Sequence, residues 1–196
     1  MKLVKLIGAA AVAAAFAAPA AAQTTGEIVQ RNVNQQQRIE QGLQSGQLTT
    51  REAARLEGEE ARVEKMESRA LRDGKLSPEE RARIDRAQNQ VSRDIYREKH
   101  DAQVGNPNSP SSQRMQAGVQ RNINQQQRIE QGIKSGQLTN REVGKLERGQ
   151  ARDNAMQYRA GRDGYVGPHE QRHIQSAENR QSARIYREKH DAQKRH

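Results

Sequence analysis

Apolar residues are sparse along this chain, but where they occur they keep a helical phase. At about 100° per residue, Leu56, Val63, Met66 and Ala70 fall on one face of one stretch. Ile84, Ala87, Val91, Ile95 and Ala102 fall on one face of the next. An earlier stretch gathers Ile28, Val29, Val33, Ile39 and Leu43 into one arc, and Gln36 lies inside it. A glutamine there either bonds across a helix interface or sits on a partly exposed helix. Between the stretches stand turn signals followed by helix starts. Thr49-Thr50-Arg51-Glu52 has the form of a capping box, and Ser77-Pro78-Glu79-Glu80 adds proline at the first helical position.

The pattern then recurs. Residues 30–103 align without a gap on residues 120–193, and 44 of the 74 positions are identical. Gln126 repeats Gln36, Thr139-Asn140-Arg141-Glu142 repeats the capping box, and Gly167-Pro168-His169-Glu170 keeps the proline and glutamate over a weaker cap. Residues 104–113, VGNPNSPSSQ, read as a flexible linker. The expected organisation is a leader (1–22), a first helical repeat (23–103), the linker (104–113) and a second helical repeat (114–196). The expected fold is all-α: two tandem helix-turn-helix-turn-helix units, with at most short bridges through Leu48/Leu76 and Leu138/Val166.

Composition sharpens this in two ways. From residue 23 onward only 24 of 174 residues are Leu, Ile, Val or Phe. That is about 14%, below the roughly 20% at which a highly charged chain becomes a candidate for disorder, so the helical phase decides for long, well-solvated helices. There is no cysteine to staple a small core. The leader joins Lys2 and Lys5 to an Ala-rich apolar run and ends Ala20-Ala21-Ala22, the order of a cleavable bacterial secretory signal. Its run is too short to span a bilayer, and Gln23 rather than cysteine would follow the cut. The expectation is a soluble periplasmic or secreted protein with no transmembrane anchor.

Without the leader's lysines the chain keeps 32 basic and 24 acidic residues, a net charge of +8. Such a surface attracts polyanions, nucleic acid or lipopolysaccharide among them. Most of the charges alternate in sign, as in REAARLEGEEARVEKMESRALRD, which reads as a solvated helix face.

The turns G-x-L-T-x-x-E and D-G-x-L-S-x-x-E resemble the second half of an EF-hand calcium loop. With glycine at the sixth place the loops run over residues 41–52, 69–80, 131–142 and 159–170, and each ends on a glutamate: Glu52, Glu80, Glu142 and Glu170. The resemblance implies calcium or another divalent cation held by these glutamates together with Asp73 and Asp163. Those two are the only acids at the fifth place, while the first and third places hold Gln, Arg, Leu, Ile or Gly. The loops start 28 residues apart, which favours one continuous middle helix over a paired EF-hand.

Two further constellations carry candidate chemistry. His169-Glu170-Gln171-Arg172-His173 spells the H-E-x-x-H of zinc peptidases, but the first repeat has no histidine there and Glu170 is explained by capping. His100-Asp101 and His190-Asp191, in the repeated IYREKHDAQ, could join Glu98 or Glu188 in a transition-metal site. The residues common to both repeats are otherwise caps, turns and helix faces. They point to an exported, non-catalytic helical binding or scaffolding module with a protein or polyanion partner. The alternatives are a periplasmic cation-binding protein and, further off, a zinc peptidase.

Overall fold

The computed structural model describes residues 24–193; the expected leader (1–22) and the basic residues Lys194-Arg195-His196 lie outside them. Six α-helices follow one another: α1 (Thr25–Ser45), α2 (Thr50–Ala70), α3 (Pro78–Glu98), α4 (Pro110–Lys134), α5 (Asn140–Gly161) and α6 (Pro168–Lys189). Among the described residues there is no strand, and no helix is long and apolar enough to cross a membrane.

The helices start where side chains satisfy their free amides. Thr49, Ser77 and Thr139 each accept from the backbone N–H of the glutamate three residues on, and that glutamate accepts from the cap's own N–H. Thr24 does the same with Glu27 for α1. At α6 the cap residue is Gly167, so only the return bond from its N–H to Glu170 remains, at 2.8 Å. Gly46, Gly74, Gly136 and Gly164 take positive φ and turn the chain after α1, α2, α4 and α5.

The turns depart from expectation in two places, at Ala102 and in the linker, and the allowance for short bridges goes unused. No bridge joins Leu48 to Leu76 or Leu138 to Val166, because α2 and α5 run unbroken between the paired turns and hold them at opposite ends of rods about 30 Å long. Leu48, Leu138 and Val166 are core residues, and Leu76 is half-buried at the core's edge. Ala102 does not extend the apolar face of α3: the helix stops at Glu98, Asp101 closes a turn on the Gln103 N–H, and Ala102 is exposed. Within the expected linker, Ser109 caps Ser112 and Pro110 opens α4, so helix takes over residues 110–113. The rest of that segment is tied down by a Gly105 N–H to Gly46 carbonyl bond of 2.8 Å and a Gln116 side-chain bond to the Pro107 carbonyl of 3.0 Å.

The two repeats share their core. α2 lies along α5 and α1 along α4, while α3 packs on α1 and α2, and α6 on α4 and α5. One apolar cluster joins Leu43, Leu56 and Ile95 to Met115, Val119 and Val166; another joins Val29 and Leu71 to Ile129, Leu146 and Ile185. Contacts pair low numbers in α2 with high ones in α5, so the two helices are antiparallel. A Cβ on Gly161 would stand 2.8 Å from that of Ala54, and one on Gly144 would stand 2.9 Å from that of Leu71. These contacts are equivalents at an offset of 90, which makes the arrangement locally two-fold. The turns obey the same relation: Arg51 donates to the Asp163 carbonyl at 2.9 Å, and Arg141 to the Asp73 carbonyl at 3.3 Å.

Candidate functional site

The charges of α2 do not form a mixed, solvated face. Glu57, Glu60, Glu64 and Glu67, at helical spacing, are each no more than 1% exposed, while Arg62, Lys65, Arg69 and Arg72 are exposed. Sign alternation at intervals of three and four residues sorts the two charges onto different sides of the helix. The acids turn inward, and the bases turn to solvent.

Inside, amides answer the acids. Gln36 and Gln126, the polar residues within the apolar arcs of α1 and α4, donate across the interface to Glu57 and Glu147, both at 3.0 Å. Gln126 also reaches Glu64 at 3.0 Å. Asn154 donates to both oxygens of Glu64, Asn32 to Glu67 at 2.9 Å, and Gln157 to Glu178 at 3.3 Å. The repeats complement one another here: Glu60, Glu64 and Glu67 stand where the second repeat has Gln150, Asn154 and Gln157, and Gln88 stands where it has Glu178.

Neither oxygen of Glu60 has a protein donor, and one oxygen each of Glu57 and Glu147 is likewise unmatched, while Glu178 Oε2 faces Arg121 at 3.5 Å. Burial pushes the Glu57 carboxyl up to about 8 and those of Glu147, Asp153 and Glu178 up to about 7. It drives Glu60, Glu64 and Glu67 well above the ordinary carboxylate range, with neighbouring acids adding to the effect. Near neutral pH burial thus favours the protonated form, most of all in Glu57, Glu60, Glu64 and Glu67.

Outside, the exposed edges of α2 and α5 enclose a groove of about 790 Å³. Arg62, Lys65, Arg69 and Arg72 line it from α2 and the turn that follows, and Arg148, Arg152 and Arg159 from α5. Its lining holds no acid; the remaining residues are small or weakly polar, with Gly58, Ala61, Ala151 and Ala155 letting the helices approach and Met156 and Tyr158 between them. Among the described residues none of the seven cations is in an ion pair. Sequence reading gave the net charge but not its place, because the groove needs both repeats.

The expected metal residues fall into different settings. Asp73 and Asp163 are exposed and accept from the N–H of Lys75 and Tyr165, while Glu80 and Glu170 serve the caps of α3 and α6. His100 and His190 turn back on their own helices, with Nδ1 at 2.6 and 2.7 Å from the carbonyls of Tyr96 and Tyr186 and the rings stacked on those tyrosines at 4.1 Å. His169 and His173 bring their Nε2 atoms to 3.3 Å on the exposed start of α6, and among the described residues no third ligand joins them. Glu52 and Glu142 are brought together with acids that the EF-hand alignment does not include. Glu52 meets Glu98 and Asp101, and Glu142 meets Glu188 and Asp191.

In comparisons with known proteins, no family model, no curated protein and no solved structure matches this chain.

Proposed function

We propose that this is an exported, non-catalytic helical module that binds polyanions through the groove between α2 and α5. The observation that carries the reading is the seven-cation, acid-free lining of that groove. Two physical points support it. Guanidinium groups form bidentate bonds to phosphate and sulfate oxygens, and six of the seven cations are arginines. Glu60, Glu64 and Glu67 of the same helix are turned away from the groove and driven toward the neutral form by burial, so they do little to cancel its field. Tyr158 is the one aromatic among the described lining residues, too little for a stacking platform, so the module reads charge and not base sequence.

Fluorescence anisotropy with labelled duplex DNA, and with lipopolysaccharide as a competitor, tests this. Affinity is expected to fall by orders of magnitude between about 50 and 200 mM salt, as it does when about six or more anionic groups are neutralised. Arg62→Glu with Arg152→Glu is expected to abolish binding. Binding absent at about 50 mM salt, or unmoved by the double substitution, overturns the proposal and leaves a protein partner as the reading to pursue.

A further inference from the structure

We infer that each repeat carries a site for a hard divalent cation of the calcium class, formed by Glu52, Glu98 and Asp101 in the first repeat and by Glu142, Glu188 and Asp191 in the second. In each triad one carboxylate oxygen per residue lies within 4.8 Å of the other two. Oxygens bound to calcium at about 2.3–2.6 Å can be no more than roughly 5 Å apart, so the triad has the span of one coordination shell. The fold makes this meeting place by packing α3 on α2, which sets the last residue of α3, Glu98, and the turn after it beside the first turn of α2.

The glutamates at the start of α2 and α5 hold an oxygen in reserve. Glu52 and Glu142 are 5% and 0% exposed. In each, Oε2 accepts from the N–H and the hydroxyl of the capping threonine, Thr49 or Thr139, at 2.8–2.9 Å. Oε1 is buried in both and has no hydrogen-bond partner. A buried carboxylate oxygen left unmatched is costly, and a cation shared with two neighbouring carboxylates satisfies it. The same unmatched atom occurs in both copies, so the second repeat supplies the observation independently.

Donor chemistry selects the ion. The triads offer only oxygen, and the adjacent imidazoles of His100 and His190 are not members. An oxygen-only donor set suits a hard ion such as calcium or manganese better than the zinc, copper or nickel that imidazole and thiolate favour. Present charge balance comes from exposed surface groups. Arg55, 55% exposed, lies 3.3 Å from Glu98, and Lys145, 50% exposed, lies 3.5 Å from Glu188. A single monovalent side chain with an exposed head group holds such a carboxylate weakly, and a divalent ion displaces it readily. All six triad residues are identical between the repeats, whereas the buried layer exchanges acid for amide at four positions.

Isothermal titration of the mature chain with calcium chloride, paired with manganese titration followed by electron paramagnetic resonance, tests the inference. Two equivalents are expected to bind with dissociation constants below about 1 mM. Asp101→Asn is expected to leave one equivalent, and Asp101→Asn with Asp191→Asn none; both residues lie outside the core, and circular dichroism checks that the fold persists. Arg55→Gln removes the competing cation and is expected to tighten the first site severalfold. No saturable binding by about 1 mM, or binding unchanged in the double variant, overturns it. The groove variants Arg62→Glu and Arg152→Glu are expected to leave cation binding intact, so this test is separate from that of polyanion binding.

Discussion

Asn154 Nδ2 sits 3.0 Å from each carboxylate oxygen of Glu64, and the two residues are 90 positions apart in the chain. They are the same position of the repeated unit, so the local two-fold axis passes between them. On that axis an acid meets its own amide counterpart, and the amide supplies the donor that a second carboxylate would lack. Predictions about stability follow from this buried layer and from the helices that enclose it.

The pH dependence has a definite sign. Carboxyls such as Glu57, raised to about 8 in the fold from an ordinary value of 4.5, hold their proton after the unfolded chain has released its own. Their contribution is fully present below about 4.5 and is lost as pH rises toward about 8, by up to ~1.4 kcal/mol per pH unit for a fully buried group. Thermal melts should therefore show a higher Tm at pH 5 than at pH 8. A Tm that rises over this interval would contradict the buried acid layer.

Glu60→Gln tests one member alone. The second repeat already carries Gln150 at that position, so the amide fits. Removing a buried acid with no donor should stabilise the protein at pH 8 by about 1–3 kcal/mol, or several degrees in Tm, and change little at pH 5. Equal Tm values for variant and parent at pH 8 would refute this.

Gly144→Ala pits two effects against each other. In a helix the substitution ordinarily gains up to about 1 kcal/mol. Here the new methyl would stand 2.9 Å from the Leu71 Cβ and 3.4 Å from the Leu71 backbone, where α5 meets the end of α2. Destabilisation by about 1–3 kcal/mol in urea melts is expected, because rigid backbone cannot yield as a flexible side-chain end does.

Cutting the chain between Gly105 and Pro107 should give halves that do not fold separately. Leu71 is buried among residues of α4, α5 and α6, and Met115 among residues of α1, α2 and α3. Each half alone should show weak helicity, and mixing them should restore it at one-to-one stoichiometry. Two halves that are separately helical and cooperative in melting would show instead that each repeat is its own domain.

In the groove, Arg62→Ala alone should weaken binding to different DNA sequences alike and reduce the logarithmic salt slope by about 1. Weakening confined to one sequence would instead indicate base recognition.

Much of this fold is legible in the sequence. Helix starts follow from Thr49, Ser77 and Thr139 with their glutamates, turns from the glycines, and the apolar faces of Leu56 and Val63 or Ile84 and Val91 from their phase. Gln36 within the arc of α1 was the visible sign of a polar interface. The buried acids were missed because a phase analysis restricted to apolar residues ignores Glu57, Glu60, Glu64 and Glu67, which keep a helical stripe of their own. Burying carboxylates is costly, and the amides that make it tolerable come partly from the other repeat, so the sequence of one repeat could not reveal it. The meeting of Glu52 with Glu98 and Asp101 spans 49 residues and depends on how α3 lies against α2, which local spacing does not specify.

The exchange of acid for amide about the axis also bears on ancestry. If two separate copies of a first repeat paired in this way, symmetry would set Glu64 against Glu64, and every substitution would appear on both sides at once. Copies joined in one chain are free of that constraint, so one side can turn to asparagine while the other keeps its acid. The Glu64 and Asn154 pair thus makes the halves heterologous: neither can substitute for the other.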